Sequence, residues 1–466
     1  MEIFMEKVKL VPAKRFFVEM LTRDIDLADA ILDLIDNCLD GAMRVLKGNN
    51  KGPKPYHGFQ VDISYDENHF MITDNCGGIP RQVAIDSAFR MGRHDSERDK
   101  DLPTVGVYGI GMKRAIFKIG EDSSVVCNTD HERYQVNITK EWMMDDSDWE
   151  IPLIDLSHGD DSNYGTTIEI RELREGIKLQ FSNQDFIEQL HSIISTHFSY
   201  IISKGLNIRI NKESVTPKIS ITRYTKDFSN KENVIAPYIY KHSIDGVDVE
   251  VAIGFYRSLS TDEEEQDEKD GKSVSTSAGI TIICNDRVVL HNDKTHITGW
   301  GEAGVPRYHT QFIGISGVVI FQSNSPVKLP LKTTKRGVDS SSQIYALAKD
   351  KIREGIKIFT DFTNKWKKVP KGELSQHFRI EETESAPSIM LSQRVRKEDW
   401  SNVRRDGGQV FKPKLPLPRE TDPTERVIFT KKRSEIQAVS EYLFDEVKPT
   451  SFIGEYCFDQ ILKKVL

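Results

Sequence analysis

The chain has 466 residues, 38% hydrophobic and 29% charged, with a formal net charge of -7, which gives a globular protein of two domains and an appendage. The acidic balance excludes a surface uniformly coated for nucleic acid and leaves room for local basic patches. Five scattered cysteines, Cys38, Cys76, Cys127, Cys284 and Cys457, lack CxxC pairing, so neither a disulfide framework nor a zinc site is expected, and a reducing cytoplasm fits them.

The N-terminal MEIFMEKVKLVPAKRFF has no sustained apolar run, and no later stretch approaches the length of a membrane span, so neither secretion nor membrane insertion is expected. From Asp24 to Arg44 the chain reads DIDLADAILDLIDNCLDGAMR. Leu27, Ile31, Leu34, Ile35, Cys38 and Ala42 recur at three- and four-residue intervals, the spacing of one buried helical face. Asp33, Asn37 and Asp40 fall at i, i+4 and i+7 on one side of that helix. Taken alone they read as a solvated acidic face. Like charges at this spacing repel, which invites a cation. Magnesium suits such oxygens, but one helix cannot complete its shell, and magnesium usually borrows phosphate oxygens.

GFQVDIS (residues 58–64) and HFMITD (residues 69–74) predict a hairpin, whose second strand ends in DNCGGIP with Asp74 at the strand end. A helical pattern from Arg81 to Phe89 leads into the polar MGRHDSERDKDLPT, which has the composition of a mobile loop. In VGVYGIGMKRAIFKIG, Gly106, Gly109 and Gly111 precede an amphipathic helix carrying Lys113 and Arg114. A glycine turn feeding a helix N-terminus offers free N–H groups and the positive end of the helix dipole to phosphate. No Walker lysine pattern and no strand-first dinucleotide context accompany it. GTTIEI (residues 165–170) then enters a strand.

A helix with DxxxN, a strand-end DxxGG, a polar loop, a glycine turn before a helix and a GT before a strand occur in that order between Val11 and Leu173. The set resembles the GHKL ATPases, the superfamily of gyrase B, heat-shock chaperones, histidine kinases and MutL. The resemblance implies an α+β fold: a Bergerat-type ATP-binding sandwich, a mixed sheet covered by helices, followed by an α/β transducer domain. It implies ATP and Mg2+ as ligands, with Asn37 on the magnesium and Asp33 where most relatives place a glutamate to activate water. Aspartate is one methylene shorter, so slow turnover is implied, with Asp36 or Asp40 assisting. Asp74 matches the acceptor for the adenine amino group. Cys76 stands where the first glycine of DxGxG belongs, while Gly78 keeps the place of closest approach, with Ile79 beside it. Gly106, Gly109, Gly111, Met112 and Lys113 match the phosphate-facing turn under a lid from about Met91 to Val105, and Thr166 matches the adenine-side threonine.

Farther along, Phe186 to Ser203 reads as helix, and LNIRI, VDVEVAIGFY and GITIICNDRVVL read as strands; the acidic TDEEEQDEKDGK reads as a solvated loop. GITIICNDRVVL resembles a strand and turn of the MORC-family transducer. VKLPLKTTKRGVD, followed by a helix from about Ser340 to Trp366, resembles its catalytic-lysine loop. That likeness implies that Lys335 reaches the terminal phosphate from the second domain, with Lys332 and Arg336 as neighbouring alternatives and a plain basic surface loop as the competing reading.

GELSQHFRIEETESAPS reads as a linker. Arg394, Arg396, Lys397, Arg404, Arg405, Lys412, Lys414 and Lys431 to Arg433, interleaved with Trp400 and Phe411, could track a nucleic-acid backbone or simply face solvent. SEIQAVSEYLF and FDQILKKVL read as short amphipathic helices. The domains expected are residues 1–180 for ATP binding, 181–370 for the transducer and 371–466 for the linker and basic region.

The resemblance as a whole implies a magnesium-dependent ATPase of the MORC type. It would work as an ATP-dependent homodimeric clamp on nucleic acid or a partner protein, in DNA maintenance or in defence against foreign DNA, with which bacterial relatives of this branch are associated. A chaperone-like ATPase acting on protein clients and the ATPase subunit of a type VI-like topoisomerase are the alternatives. A histidine kinase fits least, because no dimerisation helix with a phosphoacceptor histidine precedes the first half.

Overall fold

The acidic stretch forms helix α2 (Leu27–Val45), preceded by α1 (Lys14–Arg23). Its apolar face is buried as the spacing predicts, but the carboxylates are not solvated: Asp33, Asp36 and Asp40 are 4%, 1% and 3% exposed. Residues from the second half of the chain, Arg287 and Lys335, lie against them. A computed structural model describes residues 13–49, 52–92, 99, 101–106, 109–157, 163–260, 264, 266, 267, 270, 272, 277–332, 334–367, 383–404, 406–418 and 427–465.

The predicted hairpin is β1 (Gln60–Tyr65) and β2 (Phe70–Asp74), antiparallel, with Val61 opposite Asp74. Four further strands, β3 (Gly120–Asn128), β4 (Arg133–Ile138), β5 (Leu153–Asp155) and β6 (Gly165–Leu173), lie on one side of it. On the other lie β7 (Asn207–Ile210) and β8 (Glu213–Ser214). The sheet runs β5-β4-β3-β6-β2-β1-β7-β8. The β1–β7 pair is parallel and its neighbours are antiparallel, so the sheet is mixed. Alternate strand residues such as Val61, Ile63, Ile72, Val125, Ile168 and Ile170 point into one core with the apolar side of α2. Helix α3 (Gly111–Ile119) packs beside α2.

The helix expected from Arg81 to Phe89 is one α-helical turn, Arg81–Val83, that widens into a π-helical segment, Ala84–Ala88. Of the expected lid between Met91 and Val105, residues 93–98 and 100 lie outside the described residues, as does most of the acidic run from Thr261 to Lys272. Of the lid, Asp99 is buried and pairs with Arg44 of α2 at 2.8 Å.

A second sheet is built from β10 (Tyr238–Ile244), β11 (Val247–Phe255), β12 (Gly279–Cys284), β13 (Arg287–Asp293) and β14 (Ile315–Gln322). Its order is β13-β12-β14-β11-β10-β17-β16, where β16 is Ser401–Asn402 and β17 is Gln409–Phe411. Helix α5 (Gln343–Trp366), the long helix predicted after the basic loop, packs against β11; α4 (Gln184–His197) belongs to the first core. The segment read as a linker is in part a strand: β15 (Thr383–Pro387) pairs with β9 (Ile221–Thr225). Ala386, Leu391, Val395 and Phe411 bury against Tyr224 and Phe228, a small core that ties this stretch to the second half. The chain divides into two units, Met1–Leu417 and Pro418–Leu466. The latter holds α6 (Arg433–Phe444) and α7 (Thr450–Val465), the two predicted amphipathic helices, with the Phe444 ring tilted against Phe452 at 5.5 Å and edge-on to Tyr456 at 4.8 Å.

Gly165 opens β6 where β2 ends, and a Cβ there would lie 1.8 Å from the Asp74 carbonyl oxygen. Backbone cannot yield as a side chain does, so Gly165→Ala should destabilise the fold by about 3 kcal/mol. A shift below about 0.5 kcal/mol in urea unfolding would contradict the close packing of these strand ends.

Candidate active site

The end of β2, the N-terminus of α3 and one side of α2 enclose a cavity. Asp33 and Asn37 line it from α2; Asp74, Gly78 and Ile79 from the end of β2 and its loop; Gly106, Gly109, Gly111, Met112 and Lys113 from the glycine turn and α3; and Thr166 from β6. Lys335 enters from the second half. Every candidate residue therefore meets the same space.

One end is apolar, with Ile72, Ile79 and Ile168 around Asp74. The Asp74 carboxylate accepts N–H bonds from Cys76 at 2.7 Å and Thr166 at 3.4 Å. Burial pushes its carboxyl above the ordinary value despite these bonds. Such a group discriminates strongly in favour of a ligand that donates a hydrogen bond to it. Cys38 and Cys76 line the same end, and burial pushes both thiols well up, so they stay protonated and act as small apolar groups.

The other end is a glycine-lined cradle. A Cβ on Gly106 would lie 2.5 Å from Asp40 Oδ2, and one on Gly111 would lie 3.2 Å from Asp33 Cγ. Asp40 accepts the N–H groups of Val105 at 2.7 Å and Gly106 at 2.9 Å. It ties the glycine turn to α2, and with both oxygens engaged it is badly placed to assist hydrolysis. Lys113 Nζ donates to the carbonyls of Ala88, at 2.8 Å, and Gly109, so it fastens the loop on either side of the cavity. Asn37 is the exposed residue among the polar side chains of α2 at this end.

The carboxylates of α2 are neutralised by protein cations, and sequence reasoning missed two of them. Arg287 Nε meets Asp36 Oδ1 at 2.8 Å; Lys335 Nζ meets Asp36 Oδ2 at 3.0 Å and Asp33 Oδ1 at 3.4 Å; Arg114 Nη2 meets Asp33 Oδ2 at 2.5 Å. Burial pushes the Asp36 carboxyl up, but Arg287 and Lys335 outweigh it and hold the group below its ordinary 3.8. Burial likewise lowers the Lys335 ammonium, and Asp36, Asp33 and Asp40 overcome that and raise it. Asp36, named from the sequence as an assistant to the base, is instead the bridge between two cations. Lys335 has φ 54, a backbone region uncommon for a residue with a side chain. Arg336 pairs with Asp29 at 2.7 Å, and Lys332 does not line the cavity. A basic residue in any of these places gives no local signal of its partner. Arg287 sits 251 residues from Asp36.

Residues 25–185 match the family model described as histidine kinase-, DNA gyrase B-, and HSP90-like ATPase. Over this stretch the chain is similar to the ATPase domain of that family. The match spans α2 to β6 and ends before Arg287 and Lys335. No curated protein matches the chain. The GHKL family binds ATP, typically with Mg2+, and this cavity fits that ligand: an acceptor at the apolar end, a cradle that a Cβ would fill, and the exposed amide side chain of Asn37. Among the described residues no group of three or more His, Cys, Asp or Glu side chains could hold a metal, so phosphate and water must supply most of a magnesium shell. No described helix is long and apolar enough to cross a membrane.

Arg287→Met removes one partner of a buried ion pair and should cost about 3 kcal/mol. The pH dependence follows from Asp36, whose folded pKa is depressed. Its contribution is present above the unfolded value and lost as pH falls below about 4, through the folded value. In Arg287→Met the folded value rises toward the unfolded one, so this loss should be smaller and be complete at higher pH. Acid unfolding that is unchanged in the variant would show that Arg287 does not hold Asp36 ionised.

Proposed function

We propose that the protein is a slow, magnesium-dependent ATPase in which the second domain, a MORC-like transducer, senses the terminal phosphate through Lys335 and closes an ATP-gated dimeric clamp on nucleic acid. The observation that carries this reading is the position of the Lys335 ammonium, which comes from outside the ATPase domain to lie in its cavity beside Asp33 and Asp36.

In this reading Asp74 takes a hydrogen bond from the adenine amino group, and the glycine turn at the start of α3 receives the phosphates through its N–H groups. Asn37 holds magnesium, which when bound neutralises phosphate charge. Asp33 orients the attacking water and accepts its proton. Its carboxylate is held between Arg114 and Lys335. A terminal phosphate competes for the Lys335 ammonium, so the lysine leaves the carboxylates as it gains the phosphate, and the base is unmasked in the same movement. ADP offers no such group, so nucleotide state biases the placement of the second domain. For the nucleic-acid partner, Lys231, Lys351, Arg396, Lys412 and Lys414 line one groove of the second half with Ser401 and Asn402, beside Glu232, Glu354 and Asp399, whose ion pairs with Lys414, Lys412 and Arg396 a phosphate backbone would displace. Binding there should weaken steeply with salt.

Asn37→Ala should abolish magnesium-dependent turnover with the fold intact, and Asp33→Asn should retain ATP while losing hydrolysis by about 100-fold or more. Normal hydrolysis in both variants would end this assignment of the site. Lys335→Ala should weaken ATP relative to ADP and lower the dimer fraction seen by light scattering in saturating nonhydrolysable analogue, whereas Lys332→Ala should behave like wild type. Equal behaviour of the two lysine variants would remove the second domain from the chemistry.

A further inference from the structure

The β12–β13 hairpin turns through Asn285, Asp286 and Arg287, which are 1%, 0% and 1% exposed. Asn285 and Asp286 have φ 44 and 69, the left-handed pair of a tight hairpin turn. Burying three such polar side chains is costly unless each is fully paired, and each meets a different part of the ATPase half. Arg287 reaches Asp36 of α2 and donates to the His197 carbonyl at 3.2 Å, with its guanidinium 4.3 Å from the Phe198 ring. Asp286 accepts from the Tyr56 hydroxyl at 2.6 Å and from Lys204 Nζ at 2.9 Å. Asn285 Nδ2 donates to the Thr104 carbonyl at 3.0 Å and to the Ser323 carbonyl at 2.9 Å, while its Oδ1 accepts the Ser323 N–H at 2.9 Å.

Thr104 directly precedes Val105 and Gly106, whose N–H groups bind Asp40. The bonds thus run from the transducer turn through Asn285 to Thr104, and from Val105 and Gly106 through Asp40 to α2. We infer that Asn285 is a positioning residue for the phosphate-facing turn, giving the second domain a hold on nucleotide that does not pass through Lys335. The inference rests on the proposed reading of the cavity as an ATP site. Its consequence differs from that of the lysine. A turn that cradles phosphates common to ATP and ADP affects both nucleotides, whereas a contact to the terminal phosphate affects ATP alone.

The test compares Asn285→Gly, Asp286→Asn, Lys335→Ala and wild type by equilibrium binding of ADP and of a nonhydrolysable ATP analogue, together with amide hydrogen exchange. Glycine retains the positive-φ turn and removes only the amide. Asn285→Gly should weaken both nucleotides by a similar factor, on the order of ten-fold, and speed exchange at Val105 and Gly106. Lys335→Ala should weaken the ATP analogue selectively. Asp286→Asn loses charge against Lys204 but keeps the Asn285 bonds, so it should lower stability while leaving nucleotide affinity and exchange at Val105 and Gly106 unchanged. The inference is overturned by wild-type ADP affinity and exchange in Asn285→Gly, or by equal effects in Asp286→Asn, which would mark a merely structural turn. It is also overturned, without any variant, if Val105 and Gly106 of the wild type exchange as fast as exposed loop amides. Should wild type bind neither nucleotide, the ATP-site reading falls, and the exchange comparison still decides whether Asn285 holds the turn.

Discussion

Two carboxylates of one buried helix, Asp33 and Asp36, are shared among Arg114, Arg287 and Lys335, and the arrangement of both halves of the chain follows from that pairing. An unpaired carboxylate in this position would lose its hydration without compensation, a cost of several kcal/mol. The cations cancel it only if the second half docks where it does. The junction is weak evidence for net stability, since apolar side chains of the same shape could hold two domains together as well or better. Its value lies in exchangeability: an ammonium held by carboxylates is available to a phosphate, and an apolar contact is not.

The rest of the site is arranged around this junction. Asp40, one turn farther along α2, is engaged by the N–H groups of Val105 and Gly106, which fixes the glycine turn against the helix. Asp74 lies at the opposite, apolar end, where burial keeps its carboxyl above the ordinary range. The same helix and sheet therefore provide carboxylates of different character within one cavity. Surroundings set the difference: full ion pairing at Asp36, backbone donors at Asp40, apolar neighbours at Asp74.

The local parts of this design are legible in the sequence. The spacing of Leu27, Ile31, Leu34 and Ile35, the strand-end Asp74 and the glycines before Met112 each announce a helix, a strand end or a glycine-lined turn within a few residues. The burial of Asp36 is not legible, because the cations that permit it stand 251 and 299 residues away, at Arg287 and Lys335, and Asp33 depends likewise on Lys335 and on Arg114, 81 residues away. Only family likeness singled out Lys335, and nothing local singled out Arg287, whose role depends on a turn seated between domains. Thr383–Pro387 escaped for a related reason. A short, polar segment becomes a strand only because β9 offers it an edge and Tyr224 and Phe228 cover Ala386 and Leu391.

The central claim is that Lys335 exchanges the carboxylates of α2 for the terminal phosphate of ATP. A double-mutant cycle of Asp36→Asn and Lys335→Ala, read by chemical denaturation without nucleotide and again with saturating nonhydrolysable ATP analogue, tests it most directly. The account predicts a coupling of about 2 kcal/mol in the free protein that falls by at least half when the analogue is bound. A coupling of the same size in both states would mean that the lysine stays on the helix whatever the nucleotide, and that the junction is a fixed structural contact.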